Sequence, residues 1–459
     1  MKVTVSKLAL LDDGMNSPPN PPFWRTLGLS KSLTCGGFRG RSRKVATHRF
    51  ILGFSNASKL TRWVPLAIGV FMMMAIAFTI LPATFAQSSK PDLPRSARIQ
   101  SISGKGKVRI QRDDPTQSFF ARRGTELNRG DLLTPDKGVQ VTILCPNGLQ
   151  RSVKALSGLG KVCPVWKTDA SRGTQSAETV GGFDASIPYL ITPRHSLSLS
   201  AKPLLRWNAV AGASDYSVEV SSPTGILWQT KTKNTHITYA GKPLEPGVVY
   251  SCVVTTNTGR SSREDKAPNS ELAKALDFRV LRPDEAVDVQ AITAKLLRNK
   301  PIDETTALML ATYYGDYSLP VSAIAAYGLA QDNYQTYSLS AEAIAVLEAQ
   351  LKQSQRSPIL YRALGDLYWQ TGLIGLAGNA YKSAIAQVQS PEDLEEWTLA
   401  YYGLGQVYAT LKDSQQLLHC LSQARTGFIF LGNQDQAEQL KREIERLIKA
   451  TSNSLIPKQ

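Results

Sequence analysis

Side chains able to do chemistry are few in this chain and poorly spaced for it. Its four histidines are scattered, and its five cysteines form no CxxC pair and no Cys/His cluster with metal spacing, so a zinc site is not expected. GxSxG, HExxH and Walker A motifs are lacking from the sequence. Gly104-Lys105-Gly106-Lys107 suggests a phosphate loop, but without the following Ser/Thr and the Walker spacing it reads as a hairpin turn. Asp113-Asp114 and Glu395-Glu396 are adjacent acidic pairs. Neighbouring side chains point apart on a strand or around a helix, so solvated charge is expected of both pairs rather than a shared proton. His195 and His236 lack partner spacing and are expected at the surface. The reading is of a non-enzyme without catalytic residues, cofactor or metal.

The elements that would position any site begin with an apolar run. Val64 to Leu81 is long enough for the low end of a membrane span. Lys59 and Arg62 precede it, and a small-residue site ending at Ala86 follows, the layout of a secretory signal. Residues 1–63 hold 11 Lys/Arg against Asp12 and Asp13, so the positive-inside rule keeps that side in the cytoplasm and sends everything after Gln87 out. The segment ahead of the run is far longer than an ordinary signal, so a retained cytoplasmic tail with an uncleaved anchor helix is the alternative to cleavage. Residues 1–62 read as a basic, unstructured determinant of topology, 63–86 as the signal or anchor, and 87–94 as a linker. Of the exported cysteines, Cys145 and Cys163 lie in one small module, where an oxidising compartment would let them close a loop at roughly 3 kcal/mol. The alternative is two buried thiols, which is also the reading of Cys252 in a strand and Cys420 in a helix.

From 95 to 167 the pattern is one of short alternating strands. Ile99, Ile102, Val108 and Ile110 flank the Gly104–Gly106 turn, and Val139 to Ile143 alternates cleanly. Gly106-Lys107-Val108, then Ala121-Arg122-Arg123-Gly124 through Gly130-Asp131-Leu132-Leu133, then Val141 to Gly148 resemble the FecR-type β domain. Thr134-Pro135 stands where that family usually has Thr-Gly, and the two cysteines are an addition. The module carries 14 Lys/Arg against 5 Asp/Glu, whereas residues 168–459 carry 27 and 29. A concentrated basic patch of Lys105, Lys107, Arg109, Arg112, Arg122, Arg123 and Arg129 is expected to attract a polyanion. Outside a bacterial membrane the candidates are cell-wall polymer, anionic glycan or lipid headgroup, and nucleic acid is not expected. A β surface kept soluble by its charge is the plainer alternative.

After a Ser/Thr/Gly-rich linker at 168–186, residues 187–281 carry strands punctuated by turns about every ten residues. A Trp strand ending at Trp207, Gly212-Ala213 to Tyr216 and Val218, then Leu244, Pro246-Gly247 and Tyr250 resemble the fibronectin type III fold. That resemblance makes Trp207 and Tyr250 core residues, leaves Trp228 open between core and sheet face, and gives the sandwich the part of a spacer.

From 283 to 450 the period becomes helical, ahead of a short tail at 451–459. Pro358 to Tyr368, then Gly372, Ala377, Tyr381 and Ala384, resemble the tetratricopeptide repeat, with a second copy at Tyr401, Leu404, Gly405, Tyr408 and Ala424. A weaker copy runs through Tyr327, Ala330, Tyr334, Ala343 and Leu347. Helices from Asp284 to Thr312 precede the stack, and a polar helix from Asp435 to Ala450 closes it. The resemblance implies a concave groove lined by the first helix of each repeat, here Arg362, Asp366, Trp369, Gln370, Tyr402 and Gln406, that takes a protein or peptide. Packing of that face against the chain's own neighbouring module is the alternative. The whole reads as a multidomain α+β chain with two all-β modules and a helical repeat domain, acting as an extracytoplasmic adaptor. The runner-up is a membrane-anchored FecR-like sensor with a cytoplasmic basic tail, for which the membrane itself is a partner.

Overall fold

The computed structural model describes residues 94, 96–112, 117–164, 180–266, 276–298, 301–317, 337–354 and 356–454. The basic segment, the apolar run, Asp113-Asp114 and the first half of the weak repeat lie outside the described residues. Among the described residues no helix is long and apolar enough to cross a membrane.

An N-terminal all-β region leads into a C-terminal helical domain. The first β module has eight strands: β1 Ala97–Ser103, β2 Val108–Gln111, β3 Ser118–Phe120, β4 Glu126–Leu127, β5 Leu132–Pro135, β6 Gln140–Leu144, β7 Gln150–Val153 and β8 Ser157–Gly158, with a short helix α1 at Leu159–Val162. They form two four-stranded sheets, β4-β1-β6-β7 and β3-β2-β5-β8. The period-two pattern turns Ile99, Val108, Ile110, Leu133, Val141 and Ile143 inward, all fully buried. The β1–β2 turn needs its glycines, because Gly104 has a φ of 106° and a Cβ there would lie 2.4 Å from the Gly138 carbonyl oxygen. Cys145 and Cys163 are disulfide-bonded with Cα atoms 5.5 Å apart, tying the end of β6 to the end of α1.

The second module is a sandwich of β9 Leu190–Thr192, β10 Ser196–Ser198, β11 Leu204–Trp207, β12 Tyr216–Ser222, β13 Gly225–Thr232, β14 His236–Thr238, β15 Val249–Thr256 and β16 Asp277–Val280. Its sheets run β14-β11-β9 and β10-β16-β15-β12-β13. Trp207, Tyr216, Val218, Tyr239, Tyr250 and Phe278 fill the space between them. The Tyr250 hydroxyl accepts from the Glu245 amide at 2.7 Å, closing the corner before β15. Trp228 is half-buried and packs by its edge on Tyr239 with ring centres 5.2 Å apart, against the margin of the sandwich core.

Helices follow: α2 Pro283–Leu297, α3 Glu304–Asp316, α4 Ser340–Gln353, α5 Pro358–Gln370, α6 Ile374–Ala386, α7 Leu394–Thr410, α8 Ser414–Phe430 and α9 Gln434–Ser454. α5 starts where Ser357 caps it, its hydroxyl accepting from the Leu360 amide at 3.3 Å, with Pro358 at the first position. α5/α6 and α7/α8 are hairpins, and α5 also lies along α7, the neighbour pattern of a helical-repeat stack. Close approach needs Gly403, since a Cβ there would lie 2.4 Å from the Tyr381 ring. Tyr381 in turn bonds the Asp366 carboxylate at 2.9 Å.

The modules are not beads on a string. One hydrophobic core runs without a break from Ala97 and Ile143 in the first β module to Leu308, Ile359, Trp397 and Leu440 in the helices, while the sandwich keeps a core of its own. The sandwich is more than a spacer, because Arg206 holds Glu348 of α4 through two bonds of 2.6 and 3.1 Å. The buried Arg194 guanidinium donates to the Thr371 carbonyl at 2.8 Å and to Asp265 at 2.7 Å. Residues 180–182, at the end of the expected linker, are docked too: the Gly181 amide donates to the Gly372 carbonyl at 2.9 Å.

Candidate functional site

Helical spacing brings the expected groove residues to the inner edges of α5 and α7, but it divides them into two kinds. Arg362 is buried, its Nε bonded to Glu396 of α7 and its second nitrogen to Asp366 one turn along. Burial opposes the Arg362 charge, and the carboxylates of Glu396 and Asp366 outweigh it, so its proton is held more tightly than usual. Arg362 is therefore a buried structural ion-pair partner, whereas the Asp366 side chain stays 35% exposed. Trp369 and Tyr402 remain half-buried, Gln406 is half-buried and Gln370 is exposed. The Arg362–Glu396 bond holds α5 against α7. Tyr402 rests against Phe428 of α8, with ring centres 6.2 Å apart.

The first β module packs against the starts of α3 and α7. Arg112 reaches from the end of β2 to Glu395 at 2.6 Å while also bonding Asp131, and its guanidinium stands 5.1 Å from the centre of the Phe119 ring. Burial disfavours the Arg112 charge, but Glu395 and Asp131 more than offset this and raise its proton affinity. Arg122 bonds Asp393 and lies 3.8 Å from Glu304. Arg123 pairs with Asp303 at 2.8 Å, and Lys107 with Glu392 at 2.9 Å. Four of the seven residues expected to form a basic patch thus face carboxylates of the chain's own helices. Arg109 and Lys105 stay exposed, as does Arg129 beside α1.

Glu395 and Glu396 correct the expectation of solvated charge. Glu395 is half-buried and Glu396 buried at the seam, each with its own arginine, Arg112 and Arg362 respectively. Burial lifts the Glu395 carboxyl above its ordinary range despite Arg112, and the like charge of Glu396 adds to the lift. His195 also departs from expectation: it is half-buried and stacked on Tyr337 with ring centres 4.2 Å apart, while His236 is exposed. Cys252 and Cys420 are buried thiols, and burial pushes each up to about 12. No group of three or more His, Cys, Asp or Glu side chains able to hold a metal ion occurs among the described residues.

Sequence reasoning missed Glu342. At the start of α4 it accepts the Leu199 amide at 2.8 Å, joining the helices to the sandwich. Burial pushes its carboxyl up to about 7, against the opposing pull of that amide. A lone Glu in the first turn of a helix is the ordinary preference of helix starts, so nothing in the sequence singled it out.

No family model matches the chain, and no curated protein matches it. Among solved structures, the crystal structure of MamA protein is similar at 16% identity and a TM-score of 0.22, covering 38% of this chain and 87% of that one. A second MamA crystal structure is similar at 17% identity and a TM-score of 0.21, covering 36% of this chain and 90% of that one. Likeness at this level carries no argument about fold or function.

Two outcomes follow from the seam. Arg362→Ala leaves Glu396 buried without its cation and should lower the unfolding free energy in guanidinium by about 3–5 kcal/mol, and a loss under 1 kcal/mol would contradict the buried pairing. Glu342, raised in the folded state from an ordinary 4.5, gives stability that is full below that value and lost as pH climbs through about 7. Glu342→Gln should therefore flatten the stability profile between about pH 5 and 8 and raise stability at the alkaline end by about 1–3 kcal/mol. An unchanged profile would contradict it.

Proposed function

We propose that this chain is a non-enzymatic, extracytoplasmic scaffold whose helical repeats hold a protein partner and whose first β module rests on an anionic component of the envelope. The features that carry the partner site are the aromatic side chains Trp369 of α5 and Tyr402 of α7, each half-buried, with Gln370 exposed and Gln406 half-buried on the same two helices. Aromatic side chains held in place by packing, with amides beside them, are the surface type that anchors a peptide or helix at small entropic cost. The apolar run with its basic flank and small-residue site supports export, and a disulfide-bonded β module suits an oxidising compartment. The FecR-type and fibronectin-type motifs support the reading of modular envelope architecture.

The second reading is a membrane-anchored sensor, favoured by the strongly basic segment of some 60 residues ahead of the apolar run. In it the helix is retained and the tail meets a cytoplasmic partner. Sequencing the N-terminus of the protein recovered from cells separates the two: a start at Gln87 supports the secreted scaffold, and retention of residues 1–62 supports the anchored sensor. For the groove, Trp369→Ala and Tyr402→Ala should each weaken capture of an envelope protein at least tenfold while the unfolding midpoint stays near that of the parent. Capture at parental strength by both variants would remove the groove from the account.

A further inference from the structure

The seam explains one face of the first β module and leaves another unexplained. β3, β2, β5 and β8 form a sheet whose inner residues, Phe119, Ile110 and Leu133, are buried. The register sets the outer face. Phe120 lies opposite Arg109, Arg109 opposite Thr134, and Leu132 opposite Gly158. A cross-strand row therefore reads Phe120, Arg109, Thr134, with Leu132 in the row behind, and Leu156 and Lys154 in the segment that leads into β8. Leu156 is 66% exposed and Leu132 38% exposed, so two aliphatic side chains stand open to solvent at this end of the sheet. Arg109 stands over the Phe120 ring at 5.4 Å, and neither Arg109 nor Lys154 has a carboxylate partner among the described residues. Two carboxylates border the row: Glu392, held by Lys107, and Asp136, which accepts the Lys107 amide at 2.7 Å. Beyond them the sequence from Lys137 to Pro164 has Arg151, Lys154 and Lys161 and no acid at all.

We propose that this outer sheet face seats on an anionic lipid surface, with Leu156 and Leu132 entering the headgroup boundary and Arg109 and Lys154 meeting lipid phosphates. The proposal deepens the envelope-docking part of the function above and is independent of the partner groove. Exposed aliphatic side chains decide for lipid over polymer. A charged glycan or wall polymer would be met by hydrogen-bonding groups and gains little from leucine, whereas a bilayer rewards both the buried apolar area and each nearby cation, at roughly 1 kcal/mol per Lys or Arg. The disulfide between Cys145 and Cys163 holds β7, β8 and α1 in one closed loop, which fixes Leu156 and Lys154 relative to the sheet.

The test uses the chain from Gln87 onward, which contains every described element and both hydrophobic cores. Its co-sedimentation with vesicles of phosphatidylcholine containing phosphatidylglycerol is compared with that on pure phosphatidylcholine. Binding is expected on the anionic vesicles only. It should fall about tenfold or more in R109A/K154A, given about 1 kcal/mol for each charge, and severalfold in Leu156→Ser. All these side chains are solvent-facing, so the circular dichroism of the variants should match the parent, and the Trp369 face should capture its protein unchanged. Equal binding to neutral vesicles, parental binding by the variants, or binding to soluble polygalacturonate with none to vesicles would each overturn the lipid assignment while leaving the groove assignment intact.

Discussion

Arg112, half-buried between Asp131 of its own module and Glu395 of α7, is the contact on which the arrangement turns. A guanidinium in that place is tolerable only with both carboxylates present, and Glu395 is tolerable only with Arg112. Next to it Glu396 and Arg362 repeat the bargain, and Arg122 with Asp393 repeats it again. None of these charges could be left buried alone. They commit the β module to one position on the helical stack, and the apolar core running through both supplies the driving force that charge pairs alone do not.

That commitment decides which surfaces are left for other molecules. The face around Arg362 is taken up by the chain's own ion pairs with Glu396 and Asp366. The basic excess of the β module is likewise divided. Part of it is spent on the helices, and the rest, including Lys105, Arg109, Arg129 and Lys154, stays exposed. The sandwich, fixed to α4 by Arg206 and to the α5–α6 turn by Arg194, adds a second brace. A braced scaffold of this kind presents its free faces at set angles, which independent modules on linkers would not.

Much of this was legible locally. Period-two runs such as Val139 to Ile143, and the Gly365, Ala377 and Tyr381 spacing, each follow from interactions within a few residues, so the sequence displays them directly. Long-range pairings leave no such trace. Arg112 and Glu395 are 283 residues apart, and neither has a neighbour whose type announces the other. The charge asymmetry was a real signal read in part: the β module is cationic, and one anionic surface it meets is the chain's own Pro391-Glu392-Asp393-Leu394-Glu395-Glu396. For the same reason the burial of Arg362 was only one of two alternatives in the sequence, because burial depends on what covers a helix face.

The central claim is that the first β module and the helical repeats are one cooperative body. Native-state hydrogen exchange in rising guanidinium tests it most directly, by comparing the amides of Val141 and Ile143 in β6 with those of Ala400 and Leu404 in α7. Exchange of all four through one opening, with the same free energy and the same denaturant slope, is the predicted result. Opening of the β6 amides at a lower free energy while α7 stays protected would show two independent modules and contradict the account.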